Sequence, residues 1–252
     1  MACGLAFLSP RLTARAYTDF YRRVYRPLVS AYHGRLIDRV TVQADQAVYA
    51  KELLRFLAPR VKGRAPRRLI DIGGSTGVVA AAVAEALGCR GLVLDPSPAE
   101  LAEARARGLE TREGLLEEFE ATEEGAYDLA LLCQTVDHLL DIAGALKKIR
   151  GLLGGNGLLY VDFVDFRTIF SRHGRIEEAV KVDHPYYLTH ETMEAYLSIA
   201  GFEALATVVL PDRHHMGYLC RKSPPRDDFR IPADQGLSLL REIRSVQAKQ
   251  RS

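Results

Sequence analysis

Arg68-Leu69-Ile70-Asp71-Ile72-Gly73-Gly74-Ser75-Thr76-Gly77-Val78-Val79-Ala80 is the stretch on which the reading of this chain turns. A short apolar run ends in an acid, passes through three glycines and becomes an alanine-rich helix. Physically this is a strand (68–72), a tight turn and a helix N-terminus. Glycines allow positive φ and let a ligand approach the backbone with no Cβ in the way. The N–H groups and dipole of the helix beginning near Ser75 favour a polar or anionic ligand group.

A second acid sharpens this. After the helix Val78–Leu87 comes another apolar run, Gly91-Leu92-Val93-Leu94-Asp95. An acid about twenty residues past a glycine turn, at the tip of the neighbouring strand, is placed to accept from ribose hydroxyls. The pattern Asp-x-Gly-x-Ser-x-Gly differs from the Gly-x-Gly-x-x-Gly of dinucleotide sites, and the acid before the turn would repel a pyrophosphate. It suits a ligand carrying an ammonium and a sulfonium. The bland alternative is a glycine turn that only packs a helix on a sheet.

The turn resembles motif I of the class I S-adenosyl-L-methionine (SAM) methyltransferases, with Ser75 where a middle glycine often sits. That resemblance implies SAM as cofactor and S-adenosyl-L-homocysteine as product. It assigns Asp71, Gly73, Gly74, Ser75 and Gly77 to the turn, and Asp95 and Pro96 to the second strand tip. From Arg68 onward strands alternate with helices: helix 98–107, strand 109–112, strand 127–133, helix 141–153 and strand 157–163. Such alternation predicts a parallel sheet covered by helices on both faces, with ligands at the carboxyl ends of the strands. The full expectation is an α/β Rossmann-like class I methyltransferase. Its sheet has seven strands, mostly parallel, with an antiparallel last strand at Met216–Arg221.

The same rule gathers Leu115, Leu116, Cys133 and Gln134 around the crevice. Many relatives carry an acid after the third strand for the adenine amine. Leu115 in that place leaves adenine to backbone groups and apolar contact. Leu132-Cys133-Gln134-Thr135-Val136-Asp137-His138-Leu139 resembles the family segment that leaves the fourth strand over the methionine moiety. His138 either faces the methyl group or caps the following helix. Gly154-Gly155-Asn156-Gly157 reads as a glycine stop and turn.

Segments 12–33 and 41–57 read as helices, with Thr13 a plausible N-cap. Tyr17, Tyr21, Tyr25 and Tyr32 lie near one face of the first. They either pack on the domain or form an N-terminal helical lid in which Tyr25 or Arg26 meets the SAM carboxylate. Gln43 and Gln46 can serve likewise. The opening segment 1–10 is apolar and extended. With Phe20-Tyr21 and Tyr25-Arg26, its Cys3-Gly4-Leu5 and Pro10-Arg11 are similar to the end of the zinc ribbon in the sugar C-methyltransferase-like group. Of the ribbon cysteines only Cys3 stands here, read as a relic rather than a ligand. Asp183-His184-Pro185-Tyr186-Tyr187 is similar to the acid-His pair and following Tyr of those enzymes. The resemblance assigns substrate-side roles to Asp183, His184 and Tyr187, with His138 the further catalytic candidate. Val182 stands where that group has another His, and its large C-terminal domain has no counterpart.

An imidazole oriented by a carboxylate is a competent general base. His184 is otherwise a satisfied loop histidine. His214-His215 lack a third ligand at a useful spacing, and no metal site is read. Cys3, Cys89, Cys133 and Cys220 form no Cys-x-x-Cys pair and no disulfide framework. The net charge of +2 argues for neither a nucleic-acid nor a membrane partner. The basic run 60–68 lacks interleaved aromatics and reads as a solvated linker. With no membrane-spanning run or signal-peptide core, a cytoplasmic location is expected. In the C-terminal tail, Leu237, Leu240, Ile243 and Val246 make a stripe that docks on the domain or on a second copy as a homodimer.

The division expected is a lid over 1–62, a SAM-binding domain over 63–222 and a tail over 223–252. The expected activity is methyl transfer to a small polar metabolite, with a sugar or nucleotide-sugar favoured. Methylation of RNA or protein, and a SAM-binding subunit without catalysis, are the alternatives.

Overall fold

The computed structural model describes residues 4–120, 125–226 and 234–250. In chain order these form β1 (Ala6–Phe7), α1 (Ala14–Arg23), α2 (Tyr25–His33), α3 (Arg39–Val61), β2 (Arg68–Ile72), α4 (Val78–Leu87), β3 (Arg90–Asp95), α5 (Pro98–Ala106), β4 (Glu110–Glu113) and β5 (Tyr127–Leu132). There follow α6 (Ile142–Leu152), β6 (Leu153–Val164), α7 (Phe166–His173), α8 (Ile176–Ala179), β7 (Tyr186–Tyr187), α9 (His190–Ala200), β8 (Phe202–Val209), β9 (His215–Lys222) and α10 (Gln235–Gln250). Seven strands make one sheet in the order β4-β3-β2-β5-β6-β9-β8, and β1 and β7 make a separate two-stranded ribbon. This is the Rossmann-like methyltransferase architecture, with β8 and β9 antiparallel. Among the described residues no helix is long and apolar enough to cross a membrane.

The chain divides into two compact units. One comprises residues 12–133 and 151–160; the other comprises 1–11, 134–150 and 161–252. In the first, β2 pairs in parallel with β3 and with β5, matching Asp71 to Val93 on one side and to Leu131 on the other. β3 pairs in parallel with β4. Leu69, Ile70, Val93, Leu129 and Leu131 are fully buried. Strands covered on both faces read as unbroken apolar runs for this reason, and each such side chain contributes about 1.5–3 kcal/mol on burial.

The segment 12–33, expected as one helix, is two. Pro27 is the cause. A proline ring clashes with the carbonyl four residues back, here Arg23, so α1 ends there and Pro27 sits in the first turn of α2 where its missing N–H costs nothing. Thr13 caps α1 by accepting from the Ala16 N–H at 3.3 Å. The tyrosine stripe is divided accordingly. Tyr17 stacks on Tyr21 at a centroid distance of 6.4 Å and Tyr25 lies tilted against Tyr21 at 5.3 Å, whereas Tyr32 is exposed.

In the second unit, α7, α8, β7 and α10 share a core of Val164, Phe166, Ile169, Phe170, Ala179, Tyr187 and Leu239, with Ile243 and Val246 packed against it. The docking stripe of α10 is therefore Leu239, Ile243 and Val246. Leu237 and Leu240, expected on it, are about half exposed. The glycines at 154–157, expected as a turn, lie within β6, since glycine accepts extended backbone as readily as a bend. The opening residues form β1, pairing Ala6 with Tyr187. Cys3 lies outside the described residues.

Candidate active site

The glycine turn is built by close approach. At Gly74 an added Cβ would stand 2.6 Å from the Asp71 Oδ2, so only glycine lets the bend pass over that buried carboxyl. At Gly77, in the left-handed region with φ of 74°, a Cβ would meet Leu109 and Ala104 at 2.7 and 2.8 Å. The Gly73 N–H donates to the Leu94 carbonyl at 2.8 Å, joining the turn to β3. Ser75 itself has φ of 51°, a value that disfavours a side chain.

Asp95, at the tip of β3, accepts from the Ser75 N–H at 3.0 Å and from the Ser97 N–H at 2.8 Å. Burial pushes its carboxyl up to about 6, against the pull of these two N–H groups. Pro96 follows, half-buried, and Ser97 caps α5. Arg26 reaches the same place from α2, through Glu100. One oxygen of Glu100 pairs with Arg26 at 3.2 Å, and the other accepts from the Ser75 hydroxyl at 2.9 Å. Tyr25 lies under the Arg26 guanidinium, 5.8 Å from its ring centroid. Gln46 accepts from the Thr76 hydroxyl, while Gln43 donates to Glu103 at 3.1 Å. Gly114 donates its N–H to the Asp95 carbonyl at 3.2 Å; Leu115 is half-buried and Leu116 buried beyond it. Cys133 is half-buried at the end of β5.

The second unit holds the other candidates. Gln134 is exposed, has φ of 49°, and donates its N–H to the Asp162 carboxylate at 2.6 Å. Asp137 is buried and accepts from the Val164 N–H at 3.0 Å; burial pushes its carboxyl up to about 7. His138, Asp183 and His184 meet. His138 Nδ1 lies 3.1 Å from the Asp183 carbonyl and 3.8 Å from its carboxylate, and the two imidazole centroids are 4.6 Å apart. Burial holds both imidazoles below the usual histidine range, His184 well below. Tyr187 is not brought into this cluster directly. Its hydroxyl donates to the Lys181 carbonyl at 2.8 Å, the carbonyl that also takes the His184 N–H at 3.2 Å. It positions the loop that carries His184.

Several contributors escape a reading by motif. Glu100 had only its place in the first turn of α5 to mark it. Asp162 is a lone acid in the apolar run 158–164, a signal that was there to be read. Arg11 and Tyr186 meet the Leu140 carbonyl, at 3.4 and 2.9 Å, and fix the chain after His138. Asp212 supplies the third ligating group that His214-His215 lacked in the sequence reading.

The donor set of the turn suits SAM. A buried carboxyl beneath a bend without Cβ, N–H groups at a helix start, and a second acid at the adjoining strand tip match an ammonium-bearing chain, its carboxylate and a ribose. A family model described as a methyltransferase domain matches residues 42–207. The chain is similar in fold to 1,6-didemethyltoxoflavin-N1-methyltransferase from Burkholderia thailandensis, solved with 1,6-didemethyltoxoflavin and S-adenosylhomocysteine. The two share 20% identity over 87% of this chain and 95% of that one, with a TM-score of 0.59. A SAM-dependent methyltransferase from Clostridium acetobutylicum shares 14% identity over 81% of this chain and 98% of that one, TM-score 0.56. A complex of the Haloferax volcanii Trm112 methyltransferase activator with a methyltransferase matches at 16% identity over 72% and 97%, TM-score 0.56. No curated protein matches. Because the family model covers more than half of the chain, including the glycine turn, Asp95 and the end of β5, the protein belongs to the methyltransferase-domain family, with SAM as its methyl donor.

Proposed function

We propose that this enzyme methylates a small polar metabolite, a sugar or nucleotide-sugar before others, and that His184 takes the acceptor's proton. The observation that supports this most directly is the meeting of half-buried His138 with buried Asp183 and His184. When bound, SAM supplies an activated methyl on a sulfonium, so the protein has to align the acceptor and receive a proton. As the new bond forms, a hydroxyl becomes oxonium-like and strongly acidic. An imidazole kept neutral by burial is base enough for that proton and passes it readily to water. Asp183 orients His138, and Tyr187 holds the loop. On the donor side, Asp71, Gly73, Gly74, Ser75, Gly77, Asp95, Pro96, Leu115, Leu116, Cys133 and Gln134 serve SAM in this reading, and α1–α2 is the lid, with Arg26 and Tyr25 turning to the donor's carboxylate.

The test pairs two measurements. Calorimetry follows S-adenosylhomocysteine binding, and labelled methyl is traced into sugar and nucleotide-sugar pools. The His184→Ala variant is expected to bind S-adenosylhomocysteine within about threefold of the parent and to lose about 10²–10⁴ in turnover. Unchanged turnover removes His184 as the base. Methyl recovered only in RNA or protein overturns the acceptor class.

A further inference from the structure

Among the described residues, two clusters bring three metal-ligating side chains together: Asp212 with His214 and His215, and His138 with Asp183 and His184. The first is accounted for by its turn. Asp212 accepts from the backbone N–H groups of His214 and His215, both at 3.0 Å, and from His215 Nδ1 at 2.6 Å. Its carboxylate is engaged in closing the β8–β9 connection. The second cluster is different in kind. Its residues come from the turn after β5 and the segment before β7, with His138 and Asp183 45 positions apart, so the fold and not a local turn convenes them.

Asp183 and His184 are 8% and 7% exposed, and the ligating atoms of the three residues lie within 4.8 Å of one another. The Asp183 carbonyl facing His138 Nδ1 can only accept. Nδ1 therefore carries the proton and Nε2 the lone pair. A ring fixed by one N–H on a main-chain carbonyl, with its other nitrogen bare of hydrogen, is the arrangement that metal-binding histidines adopt.

We propose that His138, Asp183 and His184 bind one divalent first-row transition-metal ion. Two imidazoles and a carboxylate are a donor set suited to zinc, leaving a fourth position for water or an acceptor oxygen. Bonds of about 2.0–2.1 Å in a tetrahedron set ligand atoms roughly 3.3 Å apart, so from separations within 4.8 Å the trio closes by at most about 1.5 Å on binding. The inference goes beyond the proposed function: it keeps the acceptor at these side chains but, in the loaded site, replaces the base role of His184 with that of a ligand. An imidazole lone pair takes a proton or a metal, never both, so in the loaded site His184 is a ligand. An acceptor hydroxyl at the open position is then acidified by the ion and releases its proton to water. The oxygen–methyl bond forms as the sulfur–methyl bond breaks, and that electron pair returns to sulfur.

The experiment is a Co²⁺ titration of the full-length, chelator-stripped protein, read by visible d–d absorption and by displacement with Zn²⁺. One equivalent per chain with tetrahedral bands is expected. His138→Ala, His184→Ala and the shape-conserving Asp183→Asn should each weaken binding at least tenfold while far-ultraviolet dichroism stays as in the parent. The His214→Ala/His215→Ala double variant should bind as the parent does. Absence of the bands overturns the proposal, as does binding that survives in the cluster variants and vanishes in the double variant. Methyl transfer by a stripped protein that takes up no Co²⁺ refutes the metal and leaves the proposed function standing. One equivalent of Co²⁺ without transfer to any sugar pool upholds the site and refutes that function.

Discussion

Asp95, if it takes the ribose as proposed, couples stability to ligand binding. Its pKa of about 6 arises chiefly from burial, with the Ser97 and Ser75 N–H groups pulling the other way. The folded value lies above the unfolded one near 3.9, so the ligand-free protein loses this group's contribution as pH rises from about 4 to about 6, by about 3 kcal/mol in all. A ribose donates best to the ionised form, so binding runs in the opposite direction. S-adenosylhomocysteine affinity should rise about tenfold between pH 5 and 7, measured by calorimetry; a flat profile would remove Asp95 from nucleotide recognition. The two strand-tip acids were legible because each ends an apolar run at a fixed distance from a glycine turn. Glu100 was not legible as a partner of the glycine turn. Its partners, Arg26 and Ser75, are separated from it by 74 and 25 positions, and no local pattern encodes such a meeting.

Among the elements, α9 illustrates a cap that composition conceals. Thr189 reads as a plain N-cap, since the residue three places on is Thr192 and not an acid. In the structure the two threonines form a reciprocal capping box, with the Thr189 N–H donating to the Thr192 hydroxyl at 2.8 Å. Both are buried, so neither group can turn to water instead. Thr189→Ala should cost about 1–2 kcal/mol in chemical denaturation, and Thr192→Val should cost about as much despite its equal shape. A Thr192→Val protein as stable as the parent would show that the box adds nothing to the single cap. Strand ends came out within a residue or two for β2, β3 and β5, where the apolar run and the strand are the same thing. The break between α1 and α2 was present as Pro27 but masked by the continuing apolar spacing around it.

For the molecule as a whole, the glycine turn and the strand-tip acids lie in a region whose sheet was readable from alternation, while the His cluster depends on a connection with little periodicity. Asp183 and His184 were found by likeness to a motif; their meeting with His138 needed the fold, because nothing in a run of loop residues states which turn it returns to. Donor binding should stabilise the native state by mass action. At a hundredfold excess over its Kd, S-adenosylhomocysteine adds about 2.7 kcal/mol, or roughly 5–10 °C in Tm for a chain of this size. Scanning calorimetry that finds no shift would separate this protein from the donor.

Glu100 holds Arg26 with one oxygen and Ser75 with the other. Any newcomer that wants the hydroxyl or the guanidinium must evict the same carboxylate, so both grips loosen in one step. The contact it breaks is partly solvated and worth no more than about 1 kcal/mol, which makes this catch quick to open and quick to reset.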